Sequence, residues 1–310
     1  MKRNLLTLII LIYAACSAVL AQPAPPQGYT HLEDVIYGRK FGTALTMDVF
    51  TPKENAKGVG IVIACSGGWY SDHGQIATGF APYWNSFLKR GYTVFAVVHG
   101  SNPRYTIPEI LQDMNRAVRF IRYHAKDYGI DPNRIGISGG SAGGHLSLMQ
   151  GTAGDNGDPK AADPIDRVSS RVQAVGCFFP PTDFLNYGVA GKEAIGGVIL
   201  KDVAAPFEFQ EWDNDRRVFK TITDKAAIHF IVLAISPINH VDAKTPPTLI
   251  FHGDKDPIVP LQQSQIFIEK LKQNKVPCEL VVKPGAGHGW GEGLDADFAK
   301  ICDWFDKYLK

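Results

Sequence analysis

Residues 134–145, which read RIGISGGSAGGH, decide the fold of this chain. Arg134–Ser138 has the β-branched, apolar character of a buried strand, and His145–Met149 is compatible with a helix. Between them, Gly139–Gly143 matches G-x-S-x-G, a strained strand-to-helix turn that presents a serine hydroxyl at the carboxyl edge of a sheet. Glycines flank the serine because larger side chains would clash in so tight a turn. We therefore predict that Ser141 is a nucleophile.

An alternative for the same stretch is a plain glycine-rich turn that binds phosphate at a helix N-terminus. No G-x-G-x-x-G register fits Gly136–Gly144, and no lysine follows as it would in a P-loop. Because the short pattern also arises by chance, the prediction depends on partner residues elsewhere in the chain.

Outward from this turn, short β-rich runs alternate with longer amphipathic segments, the pattern of a mostly parallel sheet covered by helices on both faces. Apolar side chains at helical spacing predict helices over Ile107–Tyr128 and Leu294–Leu309. The predicted fold class is α/β, with an eight-stranded sheet. The predicted strands are Val35–Gly38, Thr46–Phe50, Gly60–Cys65, Thr93–Val98, Arg134–Ser138, Val172–Phe179, Thr248–His252 and Glu279–Lys283.

Residues 184–240 break this alternation. They show neither clear strand alternation nor one long helical stripe, and they contain the charged run Glu208–Arg217. We interpret them as a cap or lid insertion within a single domain that spans residues 22–310.

A serine nucleophile needs an imidazole to take its proton and a carboxylate to orient that imidazole. In an α/β sheet of this type the chain order is serine, acid, histidine. Only His288 follows the turn that contains Asp254 and Asp256, so elimination selects His288 as the base. For the acid we prefer Asp256, and we expect Asp254 to bond the backbone of its turn.

The tetrahedral intermediate of acyl transfer needs backbone N–H donors. One would come from Ala142, directly after the nucleophile, and others from Gly68 and Trp69 in the loop Ser66-Gly-Gly-Trp-Tyr70 after the third strand. This loop is similar to the HGGG-type motif of esterases, with Ser66 where histidine is usual. Tyr70, His99 and Trp290 are candidate substrate contacts, because His99 directly follows a predicted strand and the aromatic residues flank the predicted site.

The mature chain resembles the bacterial esterase branch of the α/β hydrolases, near feruloyl- and acetylxylan-esterase-like proteins and hormone-sensitive-lipase relatives. The resemblance lies in SGGW at 66–69, YGIDP at 128–132, GGSAGG at 139–144, HGDKDPIVP at 252–260 and GHG at 287–289. It implies an α/β-hydrolase fold and hydrolysis of carboxylic esters, with a small-molecule or polysaccharide-linked ester as substrate.

Two rival functions stay open. The segment from Ser236 to His288 also resembles the catalytic domain of prolyl oligopeptidases, which would make the chain a serine peptidase, although there is no room for the β-propeller of those enzymes. The second rival is a hydrolase-fold binding module that has lost its reaction. Turnover of simple esters, peptide cleavage and labelling of Ser141 separate the three functions.

Net charge limits the classes of partner that the protein can attract, and the N-terminal sequence indicates its compartment. The 310 residues carry a net charge of +1, which offers no field for nucleic acid or anionic lipid. Residues 1–21 read as a signal peptide with cleavage after Ala21, so we expect export to the bacterial periplasm or exterior with no integral membrane segment after cleavage. In a minority interpretation Cys16 is the acylated cysteine of a lipoprotein.

We expect neither a metal nor a cofactor. No C-x-x-C pair or His/Cys cluster indicates zinc, and the acidic stretch Gly154–Asp158 fits no EF-hand spacing, so a solvated loop is preferred to a calcium site. The mature chain keeps Cys65, Cys177, Cys278 and Cys302 at wide spacings, for which buried free thiols are the expectation although disulfides stay open.

Overall fold

A central sheet organises the protein in the computed structural model, which describes residues 28–194 and 203–310. Eight strands form this sheet in the order β1-β2-β4-β3-β5-β6-β9-β10, and β7 and β8 form a separate hairpin. The strands are β1 Tyr29–Lys40, β2 Thr43–Pro52, β3 Gly60–Ala64, β4 Thr93–Val98, β5 Ile135–Gly140, β6 Ala174–Phe178, β7 Gln210–Asp213, β8 Val218–Thr221, β9 Thr248–Gly253 and β10 Cys278–Lys283.

All eight predicted strands are confirmed, and the fold is that of an α/β hydrolase. Strand β2 pairs antiparallel with both β1 and β4, and every other neighbouring pair in the sheet is parallel. The middle strands are buried on both faces, which explains their continuously apolar sequences.

Helices cover both faces of the sheet. The helices are α1 Gly74–Thr78, α2 Ala81–Lys89, α3 Ile107–Tyr123, α4 Ala142–Ala153, α5 Lys225–Ala234, α6 Gln262–Gln273 and α7 Leu294–Tyr308. On β3, Val62 and Ala64 face a core built with α3, α4 and α6, whereas Ile61 and Ile63 face a core built with α2 and α7. None of the helices within 28–194 and 203–310 is long and apolar enough to cross a membrane.

Helix α3 ends a turn earlier than predicted. Residues 124–128 form tight turns, in which the Ala125 N–H donates to the Arg122 carbonyl and the Asp127 N–H donates to the His124 carbonyl. The apolar stripe continues through Ala125 into these turns, so periodicity alone could not locate the end of the helix.

The predicted insertion lies between β6 and β9. Its described part holds the β7–β8 hairpin and α5, whose first turn is capped by the Asp224 carboxylate. The sequence did not indicate the hairpin, because its strands have four residues each and none of these residues is fully buried. Residues 195–202 of the predicted insertion, together with the predicted signal peptide, lie outside the described residues.

Parallel strands bring chemistry-bearing loops to one edge of the sheet. Residues 65–73 follow β3, His99 follows β4, Ser141 follows β5, Asp256 follows β9 and His288 follows β10. The four cysteines of the described chain are free thiols, as preferred from the sequence, and three of them are buried.

Candidate active site

Ser141 lies in the turn between β5 and α4 with backbone angles φ 54° and ψ −119°, a conformation that non-glycine residues rarely adopt. The turn leaves no space for side chains beside the serine. A Cβ on Gly139 would lie 2.6 Å from the Gly143 carbonyl carbon, and a Cβ on Gly143 would lie 2.5 Å from the Ala64 carbonyl oxygen. Close backbone approach therefore explains both glycines of the motif.

His288 lies between the predicted nucleophile and the predicted acid. Its Nε2 is 2.9 Å from Ser141 Oγ, and its Nδ1 is 2.7 Å from Asp256 Oδ2. With Nδ1–H donating to the carboxylate, the Nε2 lone pair accepts the serine hydroxyl hydrogen, the arrangement that general-base activation requires. The structure thus brings Ser141, His288 and Asp256 together.

The Asp256 side chain is fully buried. Burial raises its pKa, but hydrogen bonds from His252 and His288 and from the N–H groups of Val259 and Ile258 outweigh burial and hold the pKa well below its usual range. The carboxylate therefore stays ionised beside the imidazole at neutral pH.

Asp254 was the other candidate for the acid. Its Oδ1 accepts a 2.7 Å hydrogen bond from the Gly285 N–H, so it joins the two loops that follow β9 and β10. Asp256, and not Asp254, reaches the imidazole of His288.

A second imidazole beside Asp256 was missed in the sequence. His252 is completely buried, with Nε2 3.5 Å from Asp256 Oδ2 and 2.8 Å from the Val259 carbonyl oxygen. Its Nδ1 lies 2.6 Å from Ser264 Oγ. His252 is the penultimate residue of β9, and only the fold shows that its ring turns back toward the acid.

The loop after β3 presents free backbone donors at the same edge of the sheet. Gly67 and Tyr70 exchange two backbone hydrogen bonds of 3.0 and 2.9 Å, which close a tight turn around Gly68 and Trp69. Both enclosed residues have positive φ, 56° at Gly68 and 58° at Trp69. Within the described residues, their N–H groups and that of Ala142 donate to no protein acceptor. These groups have the chemistry of an oxyanion hole.

His99 holds this loop from the neighbouring strand. Its Nδ1–H donates to the Gly100 carbonyl at 2.8 Å, so its Nε2 accepts the Ser66 hydroxyl at 2.8 Å. Burial lowers the pKa of His99 to about 4, which keeps the ring neutral. The side chain is 3% exposed, with both nitrogens engaged, so the geometry does not support the substrate contact expected for His99.

Trp69 points its side chain into the core. Its indole N–H donates to His145 Nδ1 at 3.1 Å, and the Nε2–H of His145 donates to the Ile235 carbonyl at 2.7 Å. Phe184 and Phe207 pack against the indole. This buried chain of hydrogen bonds links the loop after β3 to the residues that follow α5. No local pattern indicated a role for His145, which lies in α4 among mostly small and apolar residues.

Tyr70 and Trp290, the other two candidate substrate contacts, differ in their surroundings. Tyr70 is 45% exposed at the mouth of the loop, whereas the indole N–H of Trp290 donates to Asp297 in α7 at 2.8 Å. Phe179 packs against both Trp290 and the ring of His288, so aromatic side chains border the histidine.

Three carboxylates in or shortly after the acidic stretch considered for calcium form ion pairs. Asp155 pairs with Arg119, and Asp163 and Asp166 pair with Arg116. In the described parts of the chain, one group of three side chains has a geometry suited to a metal, and it lies in β1, β2 and the residues before α1.

Comparison with known proteins shows that this chain is similar to esterases. A family model described as BD-FAE matches residues 47–271. The chain is 29% identical over 264 residues to "Probable carboxylic ester hydrolase LipM" of Mycobacterium tuberculosis, which covers 84% of this chain and 57% of that protein. The chain therefore spans little more than half the length of this curated relative.

Two solved structures are similar over most of both chains. A truncated carbohydrate esterase from gut microbiota has a TM-score of 0.73 and 27% identity, covering 93% of this chain and 99% of that one. An acetyl ester-xyloside bifunctional hydrolase from Caldicellulosiruptor lactoaceticus has a TM-score of 0.70 and 25% identity, covering 88% and 95%.

Proposed function

The chain belongs to the BD-FAE family of α/β hydrolases, and on this basis we propose that it is a serine esterase that cleaves carboxylic esters through an acyl-enzyme. The observation that carries the proposal is the continuous hydrogen-bonded path from Ser141 Oγ through His288 to Asp256. A serine hydroxyl at neutral pH is a weak nucleophile, and this path supplies the base that activates it.

In the proposed reaction, His288 Nε2 takes the Ser141 proton as Oγ attacks the ester carbonyl carbon. The developing oxyanion accepts hydrogen bonds from the N–H groups of Ala142, Gly68 and Trp69. The imidazolium, stabilised by Asp256, then protonates the leaving alcohol as the acyl–oxygen bond breaks. A water molecule, deprotonated by His288, attacks the acyl-enzyme and releases the carboxylic acid and the free serine.

For the substrate we propose an acyl group on a carbohydrate or on a small-molecule alcohol. The carbohydrate class draws on the two solved structures, whose titles name a carbohydrate esterase and an acetyl ester-xyloside hydrolase. Tyr70, the exposed aromatic residue at the loop, is the side chain that we propose contacts the alcohol part. We further propose that the protein is exported through residues 1–21 and that residues 184–240 act as a cap.

Substrate turnover and active-site labelling test the proposal together. We expect hydrolysis of p-nitrophenyl acetate and of acetylated or feruloylated sugars, and covalent labelling of Ser141 by a fluorophosphonate. Ser141→Ala should remove both signals. Ser138→Ala is a matched control, because this serine precedes the turn in β5 and its buried hydroxyl bonds to no described group.

The rival functions predict other outcomes. A peptidase would cleave proline-containing peptides in preference to esters. A binding module would remain unlabelled while folded, and Ser141→Ala would leave its properties unchanged. Either result would contradict the esterase proposal.

A further inference from the structure

Two aspartates and a histidine outside the proposed triad come close together. Asp48 lies in β2, His73 immediately precedes α1, and Asp34 lies in β1. His73 Nε2 is 3.0 Å from Asp48 Oδ1 and 4.0 Å from Asp34 Oδ1, and the ligand atoms of all three residues lie within 4.8 Å of one another. Three separate segments therefore converge with two oxygens and one nitrogen.

The charge at this point is not balanced by any fixed cation. Asp48 is 1% exposed in a strand of otherwise mostly apolar buried residues. Within the described residues it pairs with His31 and His73 only, and no lysine or arginine contacts it. Buried carboxylates are normally paired with a cation or bound to a metal, because a lone buried charge is costly. A second carboxylate, Asp34, increases the excess of negative charge.

The backbone directs Asp34 toward the others. The register between β1 and β2 shifts between Leu32 and Val35, and such bulges redirect side chains. Within this bulge, the Asp34 N–H donates to Asp48 Oδ1 at 3.1 Å. The Asp34 side chain is 65% exposed, which leaves a route from solvent to the buried carboxylate.

Two of the three spacings in this group suit a small, tetrahedrally coordinated ion. Ligand atoms about 2.0 Å from a tetrahedral zinc ion lie about 3.3 Å from one another. The two distances at His73 Nε2, 3.0 and 4.0 Å, bracket this value. A mixed nitrogen and oxygen set favours zinc or a related transition metal over calcium or magnesium, which prefer oxygen ligands alone.

His31 contacts Asp48 but is not one of the three proposed ligands. Its Nε2 lies 2.8 Å from Asp48 Oδ2, the oxygen that faces away from His73. Hydrogen bonds of this kind orient a ligating carboxylate and tune its affinity for metal.

We propose that Asp34, Asp48 and His73 form a binding site for a divalent transition metal such as Zn²⁺, with His31 as a positioning residue for Asp48. This proposal differs from the expectation, drawn from the sequence, that the protein binds no metal. That expectation was based only on the spacing of possible ligands along the chain. Positions 34, 48 and 73 make no local motif, and only pairing of β1 with β2 brings the two carboxylates together. None of the three proposed ligands belongs to the proposed triad or oxyanion hole.

Metal binding is tested directly on the full chain. Chelator-treated protein is titrated with Zn²⁺ by calorimetry, and with Co²⁺ to observe the absorption bands of a tetrahedral site. We expect one ion per chain and a raised melting temperature with Zn²⁺ but not with Ca²⁺. His73→Gln keeps an N–H donor for Asp48 but removes the imidazole ligand, so it should abolish stoichiometric binding, as should Asp34→Asn. His31→Gln should weaken binding about 10- to 100-fold.

His124→Gln is the matched control. His124 Nδ1 also lies 2.8 Å from a carboxylate, that of Asp127, but on the surface and outside the three-residue group. This variant should bind zinc like the parent chain. Absence of stoichiometric binding to the parent, or equal binding by the His73→Gln and His124→Gln variants, would overturn the proposal. Circular dichroism verifies that each variant is folded.

Discussion

The Nε2 of His99 lies 2.8 Å from the hydroxyl oxygen of Ser66, across two adjacent parallel strands. Ser66 stands in the glycine loop at the position where esterase motifs usually have histidine. An imidazole, that of His99, reaches this serine from the residue after β4. Ser66 also accepts a backbone hydrogen bond from Gly143 in α4, at 3.2 Å. One residue thus connects the loop after β3 both to the neighbouring strand and to the helix behind Ser141.

We predict that His99 positions the loop and takes no part in the chemistry. His99→Ala should lower kcat about 10-fold with little change in KM, less than the 10²–10³-fold typical for loss of one oxyanion donor. Ser66→Ala should have a similar effect, and the double variant should be no worse than either single variant. Steady-state ester kinetics of the two single variants and the double variant measure the coupling between His99 and Ser66. Additive effects would contradict the proposed pairing of these two residues. His99→Gln, which keeps an acceptor, should restore part of the rate.

Asp256→Asn should lower kcat on the order of 10⁴-fold, because the amide no longer fixes the tautomer of His288. The Asn oxygen can still accept the N–H groups of Ile258 and Val259, so the fold should persist. Asp254→Asn is the control on the same turn and should keep most of the activity. Ester kinetics and thermal unfolding of both variants check this prediction. Comparable losses for the two would count against Asp256 as the acid.

Gly253→Ala should separate the two loops that carry Asp256 and His288. A Cβ at Gly253 would lie 2.3 Å from the Ala286 carbonyl oxygen, and backbone atoms cannot move aside as a flexible side chain can. A displacement of about 1 Å can cost about 10²-fold in rate, so we expect activity to fall by this order. Gly291→Ala has open space around the new methyl group and should be neutral. Kinetics together with melting temperatures distinguish misplacement from unfolding.

The free energy of unfolding should decrease as the pH falls from 6.5 toward 4. Burial lowers the pKa values of His99 and His145 to about 4, so in this window the unfolded chain binds protons that the folded chain does not. Burial raises the pKa of Asp113 to about 6 despite the neighbouring Lys40, and this acts in the opposite direction.

His145→Gln isolates one contribution to this pH dependence. The variant should lose up to about 3 kcal/mol of the difference in unfolding free energy between pH 7 and pH 4. Denaturant titrations at several pH values measure it. An unchanged pH slope in the variant would show that His145 is not the titrating group.

Much of the fold could be predicted because local pattern and tertiary structure agree. Runs such as Gly60–Ala64 are apolar on both faces, and the turn around Ser141 has a local sequence signature. Chain order with elimination also selected His288, which the structure places against Ser141.

Other parts of the site depend on contacts that no local pattern encodes. His99 reaches Ser66 across 33 residues, and Trp69 reaches His145 across 76. A buried histidine has no local signature in the sequence when a partner lies far along the chain, as Ser66 does for His99 and Trp69 does for His145. For this reason His99 was expected at the substrate rather than behind the loop, and the importance of His145 and His252 was missed.

The backbone at Ser141 also limits which amino acids can replace it over evolutionary time. A single base change converts a serine codon to a threonine codon and preserves a hydroxyl on Cβ. At φ 54°, however, a β-branched side chain is strongly disfavoured. Cysteine adds no branch at Cβ. Exchange of the proposed nucleophile at this position is therefore less strained toward cysteine than toward threonine, although threonine keeps the hydroxyl.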